Sequence, residues 1–234
     1  LADKMRGPVW EEVIIHLPTH VAIIALSATV SNAEEFGAWI REVRSSCEII
    51  VSEKRPVPLY QHMIVGEDIF DLYAPTGKGK LNPELVAATR DSGMRGGRGS
   101  RSWNHEVRVR RESRPSTLIS LDRARLLPAI TFIFSRAGCE DAVRQILSTR
   151  ITLTTRSEAA EIESYVDEVI ALLPPEDAIV LGAEAWKRGL MRGIAAHHAG
   201  MLPLMKESVE HLFSRGLVKM VYATETLALG INMP

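Results

Sequence analysis

Four short clusters in the 234-residue chain carry side chains suited to chemistry, and each directly follows an apolar run. Ser27-Ala28-Thr29 sets two hydroxyls around a small residue, and Ser135-Arg136 joins a hydroxyl to a guanidinium. His197-His198-Ala199-Gly200 sets two imidazoles before a glycine, and Thr224-Glu225-Thr226 sets two hydroxyls around a carboxylate. A hydroxyl in such a place bonds a phosphate, a neighbouring carboxylate or backbone; for Ser27 and Thr29, plain capping of a strand end and a functional bond both stay open. The sequence speaks against a nucleophilic Ser27, because no Gly-x-Ser-x-Gly elbow surrounds it and no plausible His–acid pair can be assigned to it. The adjacent imidazoles do not read as a metal site: neighbours on a strand point to opposite faces, and no cysteine-rich or acid-rich segment accompanies them. They read as a structural or nucleic-acid-facing pair. Ala74-Pro75-Thr76-Gly77-Lys78-Gly79-Lys80 imitates a phosphate-binding loop, but Leu81 stands where such a loop carries the Ser or Thr that holds Mg²⁺.

The elements that must position these clusters follow from periodicity. Residues 8–17 place Val9, Trp10, Val13, Ile14 and Leu17 on one helical face, with Pro8 suited to the first position and Pro18 ending the helix. Residues 21–26 are almost wholly apolar, as in a strand buried on both faces of a parallel sheet. Asn32 with Glu35 predicts a capping box for a helix to about Val43, and residues 47–52 predict another strand. Arg55-Pro56-Val57-Pro58 favours an extended connector, and residues 59–73 alternate like a strand. From Ala74 to Arg114 Gly, Ser and Arg dominate, which predicts a mobile insertion. A solvated insertion is the favoured reading there, and an auxiliary Arg/Gly-type nucleic-acid contact is the sharper alternative.

Order returns at Pro115. Helices are predicted over 117–127, from Arg136 to about Leu147, over 157–173, and from about Asp177 to Leu190. Strands are predicted over 129–134, 193–196 and 217–223. Pro203 opens a helix with Leu204, Met205, Val209, Leu212 and Phe213 inward, and Gly216 closes it. Buried strand, polar switch, helix thus recurs at 21–43, 129–147, 193–213 and 217–229. That order is the α/β parallel sheet, whose ligands bind outside the carboxyl ends of the strands. The four clusters stand at those ends.

Composition narrows the class. Twenty-eight basic and 29 acidic residues leave a formal charge of −1, which excludes a uniformly basic fold wrapped in nucleic acid but not a local basic groove. No apolar run approaches the roughly 20 residues that span a bilayer, so no membrane partner is expected. Two cysteines, Cys47 and Cys139, are too few for a disulfide scaffold or a four-cysteine zinc site and fit a reducing cytoplasm. The chain starts at Leu1 rather than at a methionine and stops at Pro234, and it reads as an internal piece of a longer protein.

Five segments in order resemble the superfamily-two DExH-box RNA helicases of the Ski-type, or antiviral, branch. They are Ser27-Ala28-Thr29-Val30-Ser31-Asn32 (motif III), Arg55-Pro56-Val57-Pro58-Leu59, Phe134-Ser135-Arg136-Ala137-Gly138-Cys139 (motif IV), His197-His198-Ala199-Gly200-Met201-Leu202-Pro203, and Ala223 to Pro234 (motif V). The resemblance implies an α/β fold of two RecA-like parallel-sheet domains, both incomplete here, joined by an extended linker with the Arg/Gly-rich insertion. The implied division is 1–55 for the end of the first, ATP-binding domain, 56–114 for the linker, and 115–234 for the second.

It further implies that ATP with Mg²⁺ is consumed while a strand of RNA, or alternatively DNA, is gripped and moved, with 3′ to 5′ polarity on RNA. Ser27 and Thr29 would couple the nucleotide site to strand movement. Arg136 and the His198-Ala199-Gly200 turn would face the nucleic-acid backbone, and Thr224 would donate a hydroxyl to a phosphate. Gly230 would let the backbone approach the nucleotide, and Asn232 lies where related helicases often carry Asp. The sequence holds no usable phosphate-binding loop, no Asp-Glu-x-His box and no Gln-x-x-Gly-Arg-x-Gly-Arg segment, so this stretch alone is expected to hydrolyse no ATP. A non-catalytic nucleic-acid-binding scaffold is the expectation from another class.

Overall fold

The computed structural model describes residues 7–26, 32–52, 57–75, 79–94, 113–224 and 227. The chain forms two compact units, Leu1–Leu59 and Tyr60–Pro234.

In the first unit, α1 (Gly7–His16) and α2 (Ala33–Arg44) form where the periodicity predicts helices. Arg44 joins them. Its guanidinium donates to the carbonyls of Ile14 at 3.3 Å, Leu17 at 2.6 Å, Pro18 at 3.0 Å and Val21 at 2.7 Å. A basic group in the last turn of α2 thus satisfies carbonyls that the end of α1 leaves without intrahelical donors. The predicted capping box does not form: the Asn32 amide donates to the Glu35 carboxylate at 3.2 Å, and its side chain caps no backbone N–H. Asn32 sits at φ −127° and ψ 45°, away from the extended backbone that capping geometry needs.

The strands predicted at 21–26 and 47–52 are also corrected. Among the described residues neither stretch joins a sheet, and Ile24, Leu26 and Ile50 are 85%, 91% and 86% exposed. An apolar strand is buried only between ladder neighbours and covering layers. The described part of this unit supplies two helices and no partner strand.

The second unit opens with an antiparallel hairpin, β1 (His62–Val65) and β2 (Asp68–Asp71), which turns through Gly66 at φ 67°. The two described ends of the segment that imitates a phosphate loop pair with each other. Tyr73 bridges Leu81 in antiparallel fashion, and Ala74 N–H donates to the Lys80 carbonyl at 2.9 Å. A phosphate cradle needs its glycine–lysine run to lead straight into a helix with backbone N–H groups turned inward; here Leu81 and Asn82 intervene before α3 (Pro83–Met94). That helix lies inside the stretch predicted to be a mobile insertion. Pro83 opens it, the Asn82 side chain accepts from Glu84 N–H at 3.0 Å, and Leu85 is buried. Averaging composition over the whole stretch hid this local signal. Residues 95–112, which hold the Arg/Gly-rich run, lie outside the described residues.

Beyond them come α4 (Arg114–Arg123), β3 (Ala129–Phe132), α5 (Arg136–Leu147), α6 (Arg156–Ile170), α7 (Pro175–Val180), α8 (Ala183–Met191), β4 (Ile194–His197), α9 (Pro203–Ser214) and β5 (Met220–Ala223). The helix predicted from Asp177 to Leu190 is two helices, because Gly182 adopts φ 65° between them. The strands form one parallel sheet in the order β3-β5-β4. This is the α/β class that the recurring strand–helix order predicts.

Period-two alternation divides the strands between two cores. Ile194, Ala196, Met220 and Tyr222 pack with Leu118 of α4 and with Cys139, Ala142 and Ile146 of α5. Ala195, Val221 and Ala223 pack with Ile162 and Val166 of α6, Leu190 of α8, and Val209, Leu212 and Phe213 of α9. Helices therefore cover both faces, as a parallel sheet requires.

The amino ends of the strands are held by charge. Thr155 and Glu158 form a reciprocal capping box at the start of α6. The Glu158 carboxylate also receives Lys219 Nζ at 2.9 Å, and the same ammonium donates to the Leu153 carbonyl at 2.9 Å. The Thr155 N–H first, and then Lys219, hold the Glu158 carboxyl below the usual glutamate range. A lowered folded-state value means that the carboxylate adds stability above its unfolded value of about 4.3 and loses it as pH falls through the folded value. The stability difference between the wild-type chain and Glu158→Gln is accordingly expected to be full at neutral pH and to shrink in the acid range. Urea titrations at a series of pH values check this. A pH-independent difference would assign the effect to packing instead.

Candidate nucleic-acid interface

Parallel pairing puts three strand tips level, for Phe132 of β3 and His197 of β4 both pair with Ala223 of β5. The residues that follow each tip arrive at one edge. After β3, the Ser135 hydroxyl accepts from Gly138 N–H at 3.2 Å and caps α5. Arg136 opens that helix on the surface, and among the described residues its guanidinium makes no hydrogen bond or ion pair. After β5, Thr224 N–H donates to the His197 carbonyl at 3.1 Å and binds this tip to β4.

After β4 the chain turns through His198-Ala199-Gly200. A Cβ added to Gly200 would stand 3.2 Å from His198 Nδ1 and 3.3 Å from Arg136 Cδ. The stem of Arg136 and the ring of His198 thus rest against this glycine, and a larger residue would push them apart.

Both histidines are buried, at 5% and 6% exposure. They point to opposite faces, as their adjacency predicts. His197 Nε2 lies 2.7 Å from Glu210 Oε1 on α9, and His198 Nε2 lies 2.8 Å from Glu140 Oε1 on α5. His198 Nδ1 accepts from Gly200 N–H at 3.2 Å. His197 Nδ1 is buried without a hydrogen-bond partner among the described residues. No group of three or more His, Cys, Asp or Glu able to hold a metal ion occurs among the described residues. Cys139, next to Glu140, is a packing residue: burial foremost pushes its thiol up, which keeps the reactive thiolate scarce.

The structure therefore brings Arg136, His198, Gly200 and Thr224 to one edge of the sheet. Ser27, Thr29, Gly230 and Asn232, to which the resemblance assigns coupling and nucleotide contact, lie outside the described residues. Glu140 and Glu210 escaped the sequence reading. Their partners are 58 and 13 residues away, and only the sheet brings them together. The one local signal is that Glu140 follows Arg136 by four residues and so shares its helix face.

Surface guanidinium and polar turns lie at the carboxyl edge of a helix-covered parallel sheet, the edge at which open α/β sheets bind their ligands. Comparison with known proteins makes the class specific, although no family model matches the chain. It is 49% identical over 247 residues to a probable helicase HelY of Mycobacterium leprae, covering 100% of the chain and 27% of that protein. It is 40% identical over 266 residues to a chloroplastic DExH-box ATP-dependent RNA helicase of Arabidopsis thaliana, covering 100% of the chain and 22% of that protein. With Superkiller complex protein 2 of Homo sapiens it shares 39% identity over 245 residues, covering 99% of the chain and 20% of that protein. Over its whole length the chain is similar to Ski2-like superfamily-two helicases, HelY-type proteins among them. It spans about a quarter of their length. No helix among the described residues is long and apolar enough to cross a membrane.

Proposed function

We propose that this chain is part of the motor of an ATP-dependent RNA helicase, which couples ATP hydrolysis to 3′ to 5′ movement along RNA and to its unwinding. The observation that carries the proposal is the level set of strand tips, with Arg136, the His198–Gly200 turn and Thr224 along one edge. A single strand held there would be contacted through its phosphates, which positions it without reading sequence.

In this reading residues 1–55 end the first RecA-like domain, 56–114 connect it, and 115–234 form most of the second. Ser27 and Thr29 transmit the state of the nucleotide site, and Gly230 and Asn232 approach the nucleotide. ATP and Mg²⁺ are the cofactors of the intact protein. The test is unwinding by the intact protein on matched RNA and DNA duplexes, each with a single-stranded overhang at either end. ATP-dependent opening of RNA from a 3′ overhang is expected. Opening of DNA alone would reassign the substrate, and binding without ATP-dependent opening would make the protein a scaffold. The 234-residue chain by itself is expected to show no RNA-stimulated ATP hydrolysis.

A further inference from the structure

We infer that Glu140 is a positioning residue: through His198 and Gly200 it fixes the direction in which Arg136 meets a nucleic-acid backbone. The inference rests on the proposed reading of the strand-end edge. It starts from the bonding of one ring. Gly200 N–H can only donate, so the His198 Nδ1 that it reaches at 3.2 Å must present a lone pair. The ring proton then sits on Nε2 and is donated to Glu140 Oε1 at 2.8 Å. Both nitrogens of His198 are spent inside the protein, and its side chain is 8% exposed. The imidazole has nothing left to offer a phosphate. It acts as a brace between α5 and the turn after β4.

Three features make the brace specific to Arg136. Glu140 stands one helical turn after Arg136, so the carboxylate that holds the ring and the guanidinium left free belong to the same surface of α5. The atom that receives the Gly200 N–H, His198 Nδ1, is also the one nearest to where a Gly200 side chain would begin, and Arg136 Cδ is the next nearest at 3.3 Å. Ring and arginine stem therefore both flank the same glycine. Finally, His197 is held separately by Glu210 on the other face at 2.7 Å, so β4 keeps its own anchor when Glu140 is removed. Loss of Glu140 frees the His198 ring to turn, takes the acceptor from Gly200 N–H, and so loosens the glycine that the Arg136 stem flanks.

The test is binding of a fluorescein-labelled single-stranded oligouridylate to the intact protein and its variants. Glu140→Ala is expected to weaken binding about fivefold, the scale of one lost hydrogen bond. Glu140→Gln should stay within about twofold of wild type, because its amide oxygen accepts the same Nε2 proton. In an Arg136→Ala background, Glu140→Ala should add nothing, since a residue that acts through another shows full coupling in a double-mutant cycle. Additive losses, or a Gln variant as weak as the Ala variant, overturn the inference. If Arg136→Ala itself leaves binding unchanged, the reading of the edge has failed, and the brace is then decided by the ¹⁵N spectrum of histidine-labelled intact protein. A His198 ring protonated at Nε2 that loses this signature in Glu140→Ala upholds the brace, and a ring protonated at Nδ1 overturns it.

Discussion

Arg192→Ala is expected to destabilise the second unit by about 2–4 kcal/mol, the scale of losing a half-buried charged group that several carbonyls share. The guanidinium donates from Nη1 to the Leu147 carbonyl at 3.0 Å, from Nη2 to that of Thr149 at 2.7 Å, and from Nε to that of Ile151 at 2.8 Å. It closes the carboxyl end of α5 and pins the chain that follows, while burial pulls its basicity down. The same junction delivers β4. Leu153 N–H donates to the Arg192 carbonyl at 3.1 Å, and Gly193 turns at φ 76° where a Cβ would meet Thr154 at 3.1 Å and Leu153 at 3.2 Å.

Alanine leaves three partly buried carbonyls without that donor, and an unmade bond costs more than a made one contributes. Arg192→Lys should recover less than half of the loss, because one ammonium cannot span the positions that a planar fork reaches. Urea unfolding followed by circular dichroism measures both variants. A change below about 0.5 kcal/mol, as at ordinary surface positions, would mean that water replaces the guanidinium.

How far the sequence discloses such features depends on the distance over which they act. The parallel sheet of the second unit was legible because β3 and β4 are each followed by a polar switch and a helix, so that a local pattern repeats. His197 and His198 were correctly read as facing opposite ways, a consequence of the two-residue pleat alone. Their partners were not legible, since Glu140 and Glu210 are surface-type residues on helices, indistinguishable in sequence from a solvated face. Arg192 and Arg44 were missed for the same reason: a guanidinium that gathers carbonyls from distant turns has no spacing rule.

The first unit failed differently. Val21–Leu26 has the composition of a doubly covered strand, but a strand is a relation between chains of backbone, and pairing partners have no signature in the strand's own residues. Asn32 shows the limit of a short motif, as the right residues at the right spacing bonded each other and left the helix uncapped.

The strand-end edge is where legible and hidden features meet, and Arg136 is the residue on which its reading turns. In the intact protein, Arg136→Ala is expected to weaken binding of single-stranded RNA about tenfold at physiological salt, as loss of a charge-assisted phosphate bond would. The slope of log affinity against log salt should become shallower by about 0.7, the counterion release of one phosphate on a single strand. Arg136→Lys should restore most of the salt dependence but not all of the affinity, because an ammonium keeps the charge and loses the forked geometry.

The loss should be the same for any RNA sequence, since a phosphate contact carries no base information. Arg156→Ala serves as the control. That arginine is exposed in the first turn of α6, whose Glu158 pairs with Lys219 just before β5, and it therefore lies at the amino ends of the strands, at the opposite end from the tips. If general basicity drew the strand in, both substitutions would lower affinity alike. If the carboxyl edge grips it, only Arg136→Ala will, and equal effects would remove the edge from the mechanism.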